Sequence, residues 1–321
     1  MDNLTHSLVG WTLGQTGLKR RTRKGLAALI LGANMPDIDV FLSWVPWAPL
    51  AIHRGFTHSL AGGVLLMPPM LAGLLWLLDR WQVRRGATFR SDLAMHFGWL
   101  VALSYIGTLT HPLLDWQNIY AAQLFSPFSD RWFHNDSLYI IDPWIWLGLG
   151  LAIWLSRRRE RQEGNWHGPA QAALALLVAY VCANGALTAF AKQEAQLSEP
   201  HADSQTLFAT PPPLKVWRRE LVWRDGGMVA WGDYDPLVSL VGLTDYTAPA
   251  PDNMSDPLAR QAMTATPAIV RFMRWSTMPM ARIERGRCSA RVSFGDARYG
   301  RTVAANRFRQ DAIVPIKGPG C

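Results

Sequence analysis

The sequence predicts a mainly α-helical protein: a polytopic helical membrane domain over residues 1–192, followed by a small β-rich (α+β) soluble domain over residues 193–321. Three observations predict it. Hydrophobic residues make up 49% of the 321-residue chain and include 16 Trp, rich for a soluble protein of this size. The apolar content is concentrated before residue 192 and gives way to polar sequence after it, so a mean hydropathy of +0.02 averages two unlike halves. In the first half, the Lys and Arg residues fall in short runs between apolar stretches.

The first elements are two short helical pieces, residues 4–18 and 26–34, separated by Lys19-Arg20-Arg21-Thr22-Arg23-Lys24. At ~1.5 Å per residue neither crosses a bilayer core alone, which predicts a half-embedded hairpin. Four spans follow, at 59–78, 93–110, 138–155 and 164–191, each near the ~20 residues that a crossing helix needs. The third holds one charge, Asp142, near its start, and the last has its apolar core at 171–191. Beyond them, 214–224, an Asp225-Gly226-Gly227 turn and 228–231 predict a β-hairpin. Residues 289–294 alternate as a strand before a turn at Gly295-Asp296, and Ser255-Asp256-Pro257 has the form of a helix start. There is no internal repeat, and Thr210-Pro211-Pro212-Pro213 is the one low-complexity patch.

A formal charge of +8 raises nucleic acid as a partner. The placement of the cations between apolar segments gives them a membrane role instead, and no nucleic-acid partner is expected. Thirteen Lys and Arg residues lie in the loops 19–24, 79–90 and 156–162, whereas 35–58 and 111–137 carry only Arg54 and Arg131. By the positive-inside rule the thirteen are cytoplasmic. The other two loops, and everything after residue 192, then face the periplasm from a bacterial inner membrane. The start, Met1-Asp2-Asn3-Leu4-Thr5-His6, has no basic run and no cleavage site follows it, so the first membrane segments are expected to direct insertion.

Three cysteines, Cys182, Cys288 and Cys321, form no Cys-x-x-Cys pair, so a metal here is expected to be held by His and carboxylate. In an exported domain Cys288 and Cys321 either pair or stay as two free thiols. With Asp2 and Asp130 set aside as surface charges, the far-side His and Asp residues are His6, Asp37, Asp39, His53, His58, His111, Asp115, His134, Asp136 and Asp142. Ionisable groups at membrane depth are costly and point to a functional site.

His111-Pro112-Leu113-Leu114-Asp115 puts a His and a carboxylate four apart, able to share a metal from one helical face, or to serve as a helix-end histidine and a polar cap. Pro112 could instead start a new helix with His111 at its N-cap. Pro36-Asp37-Ile38-Asp39 offers two carboxylates in a turn, as ligand or general base. His53-Arg54-Gly55-Phe56-Thr57-His58 adds two histidines and a cation, where Arg54 either grips a phosphate or anchors the interface. Asp142-Pro143 reads as a partner behind the site or as a cap. His96 reads as a packed or hydrogen-bonded histidine in an apolar span, and His167 and His201 as surface residues.

Thr5-His6 with Gly10, Pro36-Asp37-Ile38-Asp39, His53-Arg54-Gly55-Phe56-Thr57-His58-Ser59 and His111-Pro112-Leu113-Leu114-Asp115 resemble the YdjM-like family of inner-membrane metal-dependent hydrolases. Pro211-x-Pro213, Trp217 and Asp296-Ala297-Arg298-Tyr299 carry the resemblance over nearly the whole chain. That family is in turn similar to zinc-dependent phospholipase C and the single-strand-specific zinc nucleases. The resemblance implies a divalent metal, Zn²⁺ first and Mn²⁺ or Mg²⁺ next. The zinc enzymes' His-x-x-x-Asp pair matches His111 and Asp115, and their early ligands correspond to His6, Asp37 and His53 or His58; for their second pair only His134 and Asp136 are available, two apart and not four. The candidate ligands are thus His6, Asp37, Asp39, His53, His58, His111, Asp115, His134 and Asp136. For phosphoester hydrolysis, Asp37 or Asp39 is the expected ligand or general base and Arg54 the electrophilic partner.

The function expected is hydrolysis of a phosphoester, with the bilayer as partner and a membrane lipid as candidate substrate. Phe41, Trp44, Trp47 and Phe56, and then Trp116, Phe125, Phe128, Trp132 and Phe133, surround the ligands as an interfacial belt that either anchors the protein or frames an amphiphile. Two other classes compete. A metal transporter or sensor would use the same cluster, but no matching cluster lies at the cytoplasmic ends. A scaffold with an exported protein-binding domain leaves the His/Asp residues unexplained.

Overall fold

A computed structural model describes residues 1–42, 53–89, 91–198 and 206–316. Trp44, Trp47, Arg90, His201 and Cys321 lie outside the described residues. The chain divides into two compact units, Met1–Gly185 and Ala186–Cys321.

In the first unit, α1 (Asn3–Gln15) begins at Asp2, whose carboxylate accepts the Leu4 and Thr5 amides. Asp2 is therefore a helix cap and not a surface charge. Then come α2 (Gly25–Asn34) and a 3₁₀ segment, Met35–Leu42. Pro36, with no N–H to donate, ends the α-ladder, but the axis continues, and Gly25–Leu42 is together long and apolar enough to cross a membrane. The expectation that this stretch stops half-way missed that continuation. A π-helical turn, Leu60–Leu66, runs into α3 (Met67–Arg84); α4 (Phe97–Asp115), α5 (Pro143–Arg161) and α6 (His167–Ser198) follow. By length and composition Leu60–Arg84, Phe97–Asp115 and His167–Ser198 are candidate spans too.

The expected span at 138–155 is displaced. Asp142 caps α5 by accepting the Trp144 and Ile145 amides, so the helix starts at Pro143 and spends its last turns on Arg157, Arg158, Arg159 and Arg161. Its apolar part is too short to be one of the four candidate spans.

What positions the functional end of this unit is the packing of α2 between α1 and α4. A Cβ at Gly10 would lie 2.7 Å, and one at Gly107 2.5 Å, from the Leu29 carbonyl oxygen. Both glycines are needed for backbones to approach this closely, the packing mode expected between membrane helices. At the opposite end, Arg23 grips the buried Asp79 with two bonds of 2.7 Å, and Lys19 and Arg20 share Glu160.

In the second unit, β1 (Phe208–Thr210), β2 (Arg219–Asp225), β3 (Met228–Tyr234) and β4 (Asp245–Pro251) form an antiparallel sheet in sequence order. The last turns of α6 pack on it: Ala191 and Ala195 share a core with Leu207, Leu221, Trp223 and Tyr234. The expected hairpin forms around Gly226 (φ +52°) and Gly227 (φ +82°), although β2 starts at Arg219 and not at residue 214. Asp256 caps α7 (Pro257–Ala262) as its sequence implied, and α8 (Pro267–Trp275) follows. A second antiparallel sheet joins β5 (Pro279–Arg285), β6 (Ser289–Asp296) and β7 (Gln310–Pro315). Gly295 and Asp296 pair with Met280 and Pro279 as strand residues and make no turn; the chain bends after them, where Asp296 caps a 3₁₀ turn. Cys182 is a free, exposed thiol and Cys288 is disulfide-bonded.

Candidate metal centre

Four helical segments deliver the site. His6 comes from the first turn of α1, Asp37 and Asp39 from the 3₁₀ continuation of α2, His58 from the 3₁₀ turn Phe56–His58, and His111 and Asp115 from the end of α4. Pro112 sits inside α4 without breaking it, so His111 and Asp115 stay on one face, with Nε2 and Oδ2 3.4 Å apart. The alternative of a new helix starting at Pro112 is thereby set aside.

Asp37, His58, His111 and Asp115 each turn one ligand atom toward a common point, and all four residues are buried. His58 Nε2 lies 3.0 Å from His111 Nε2 and 3.3 Å from both Asp37 Oδ1 and Asp115 Oδ2. His111 Nε2 lies 3.4 Å from the same two oxygens. Donors at the ~2.0–2.1 Å bond length of zinc to nitrogen or oxygen stand about 3.3–3.4 Å from one another on a tetrahedron, so these spacings match those that such an ion would require.

The tautomers say the same. His111 Nδ1 donates to the Ala33 carbonyl oxygen at 2.6 Å, and His58 Nδ1 faces Asp39 Oδ2 at 3.2 Å and Thr57 Oγ1 at 3.1 Å. With each Nδ1 donating to its oxygen partner, a neutral ring points its Nε2 lone pair at the other ring and at two carboxylate oxygens. Acceptors gathered this closely in a buried place repel one another unless a cation sits among them. Beside them, both ring nitrogens of His6 and Asp37 Oδ2 are buried without a hydrogen-bond partner, and the His6 ring stacks on His111 at 3.8 Å. The donor set of two imidazoles and two carboxylates fits a divalent ion of the zinc type.

Asp39 belongs one layer out. Its Oδ2 accepts the Arg54 amide at 3.0 Å and the Thr57 hydroxyl at 2.8 Å beside His58 Nδ1, while Oδ1 faces His53 Nδ1 at 2.8 Å. A carboxylate behind a ligating histidine fixes its ring and raises its basicity. Asp39, His53 and His58 form a second convergent group, and His53 is its half-exposed member.

Arg54 is fully enclosed, which removes the interfacial-anchor reading. Its Nε stands 3.2 Å from Asp115 Oδ2, its Nη1 donates to Asn118 Oδ1 at 2.8 Å, and its guanidinium lies over the Tyr120 ring. Its backbone is left-handed, with φ +64°, a strained conformation for a non-glycine residue and one that clusters at functional sites. The Met1 amino group also bonds Asp115 Oδ1.

The remaining sequence candidates divide. His134 and Asp136 pair with each other at 2.7 Å and belong to neither convergent group. Asp142 caps α5 and accepts the Tyr180 hydroxyl at 2.8 Å. Asp130 is exposed, and His167 lies against Trp166 at the start of α6. His96 is not packed in a span: it is exposed at the N-cap of α4, because the helix begins only at Phe97. Of the belt, Phe41, Trp116, Phe125 and Phe128 are exposed, whereas Phe56, Trp132 and Phe133 are half-buried. Sequence reasoning passed over Thr57, Asn118, Tyr120 and the Ala33 carbonyl. Thr57 lies within the His53–His58 motif and Asn118 three residues after Asp115, but only their contacts reveal a role.

The sequence pattern of the YdjM inner membrane protein family matches residues 1–191, the portion that holds this centre. The match ends there, so the C-terminal motifs thought to extend the resemblance lie outside it. The Bacillus subtilis (strain 168) protein YfhP, described as uncharacterized, is 28% identical over 165 residues, 48% of this chain and 46% of YfhP. The chain thus spans about half the length of the curated relative it matches. No solved structure matches it.

Proposed function

The chain belongs to the YdjM inner membrane protein family, a multi-pass membrane protein, and from that premise we propose that it is a metal-dependent hydrolase of a phosphoester carried by an amphiphile. The observation that carries this reading is the four-donor shell with edges of 3.0–3.4 Å. Asp37, His58, His111 and Asp115 would hold a divalent ion, most simply Zn²⁺, with Mn²⁺ or Mg²⁺ as alternatives. Such an ion lowers the pKa of a bound water and neutralises phosphate charge.

The protein's own residues do the rest. Asp39 and Thr57 hold the His58 ring in register, and the Ala33 carbonyl does so for His111. Arg54 compensates Asp115 and so keeps the cluster's charge tolerable in a buried place. His53 is where the cluster reaches the surface, and the exposed Phe41, Phe125 and Phe128 suit an interface where acyl chains end. The thirteen-to-two asymmetry of basic residues supports a periplasmic position for this face. It supports the same side for the C-terminal unit provided that α5, though not itself a candidate span, runs across from Asp142 to Glu160, which bonds Lys19 and Arg20 at the opposite end. Reporter fusions after residues 85 and 160 should then read cytoplasmic, and those after 125 and 250 periplasmic; the opposite pattern would invert the assignment.

One observation favours a second reading, a metal sensor or structural site: four protein ligands already complete a tetrahedron, and catalytic zinc usually keeps a position open. The experiment that separates the two compares a detergent-dispersed lipid phosphoester with a short soluble analogue of the same head group, with added zinc. Faster turnover of the lipid, lost on chelation, is expected. Turnover that survives chelation, or favours the soluble analogue, excludes the proposed mechanism. Stoichiometric metal with no turnover of either compound points to the sensor.

A further inference from the structure

The loop between β3 and β4 presents four large aliphatic side chains to the outside: Leu237 (75% exposed), Val238 (74%), Leu240 (68%) and Val241 (78%). From Pro236 to Thr244 it contains no charged residue. Singly exposed aliphatics are ordinary, but four within five residues make a contiguous apolar surface that water disfavours.

The loop is held in place. The Val238 and Ser239 amides donate to the Asp235 carbonyl oxygen, the Leu237 amide to Asp235 Oδ1, and the Tyr234 hydroxyl to the Leu240 carbonyl oxygen. Ser239 Oγ donates to the Val241 carbonyl oxygen. These bonds fix the backbone course of the loop. At its end the loop is tied to α6: the Gly242 amide donates to Glu194 Oε2 at 2.8 Å, and Leu243 packs on the core that contains Ala191 and Ala195.

That tie sets a depth. The apolar core of the last span ends at residue 191, and Glu194 is three residues further along the same unbroken helix, about 4.5 Å at 1.5 Å per residue. The loop is thus anchored at the level where α6 leaves the hydrocarbon, within the ~5–10 Å over which interfacial segments bury apolar side chains.

We propose that residues 236–241 insert into the leaflet from which α6 emerges, giving the C-terminal unit a lipid contact of its own beside its helical tether. The occupant is the bilayer and not another protein, because the uncharged loop is tied to Glu194, within one turn of residue 191, where the apolar core of α6 ends. Aliphatic side chains on an uncharged loop suit acyl chains, and Leu197 on α6 extends the exposed apolar surface next to Glu194. The loop's lipid contact depends neither on the metal nor on which side of the membrane the unit occupies.

The test uses the full chain in phospholipid vesicles, in a Cys182→Ser background, with a fluorophore on Val238→Cys or, separately, Leu240→Cys. Glu284→Cys, at an exposed position of strand β5, is the comparison. Nitroxides carried on lipid acyl chains should quench both loop labels several-fold more than the Glu284→Cys label, and aqueous iodide should do the reverse. Loop labels open to iodide like the Glu284→Cys label overturn the proposal. So do labels shielded from both quenchers, which would mean that protein, a second copy included, covers the loop.

Discussion

Each unit buries an Asp beside an Arg, and the two clusters differ in one respect. In the C-terminal unit Asp296 is saturated: Oδ1 accepts the Arg298 amide at 3.0 Å and its Nε at 2.9 Å, and Oδ2 accepts Arg298 Nη2 at 2.8 Å and Ser276 Oγ at 2.6 Å. The guanidinium lies against Phe208, Trp275 and Tyr299. Donors there match acceptors, and the cluster closes on itself. Around Asp115, by contrast, two imidazole lone pairs and two carboxylate oxygens meet with too few donors between them. Buried charge of the first kind holds a fold together; the second kind leaves acceptors facing one another, which is what marks it as a candidate metal site.

The comparison breaks most decisively at the metal. His111→Ala and Asp115→Ala should each lose nearly all bound zinc, measured by elemental analysis of purified protein. Asp37→Asn, which leaves Arg54 paired with Asp115, should do the same without disturbing the fold. Asp39→Asn alters the carboxylate behind His58 and should weaken zinc binding about 10–100-fold. His96→Ala, at an exposed helix start, should change nothing. Equal metal content across the series would dissolve the distinction between the two clusters.

The reverse experiment removes Asp296. Asp296→Ala strands a buried guanidinium and should destabilise the C-terminal unit by about 3–5 kcal/mol, read by chemical denaturation, with zinc content unchanged. A loss of zinc would show that the units are not independent in this respect.

The smallest effect is in pH. Burial acts to raise the Asp296 pKa, but the Arg298 charge and the bonds from Arg298 and Ser276 outweigh it and hold the carboxyl below its ordinary range. A depressed carboxyl stabilises the fold fully above its unfolded pKa of about 3.9 and ceases to do so as pH falls through its folded value. Stability of this unit should therefore hold between pH 8 and 5 and decline below about pH 4, a decline that Asp296→Asn should flatten. An equal acid slope in the variant would assign the effect elsewhere.

Composition and cation placement alone divide the chain into a helical membrane region and a β-rich region. The sequence also limited the expected metal donors to His and carboxylate and offered His111 and Asp115, four apart, as a pair that one helical face could present; that Pro112 leaves the helix unbroken came from the structure. Apolar run length, cation placement and a four-residue spacing are local properties, and local physics fixes them. It reached the hairpin at Gly226-Gly227 and the cap at Asp256 for the same reason. Only the tertiary structure decided which of ten far-side His and Asp residues converge. That depends on Gly10 and Gly107 letting α1 and α4 close on the Leu29 backbone, which brings His6, Asp37 and His111 together from distant parts of the chain. Tertiary packing also put Asp39 behind His58, enclosed Arg54 against Asp115 and paired His134 with Asp136, because hydrogen-bond partners across helices leave no periodic trace in the sequence.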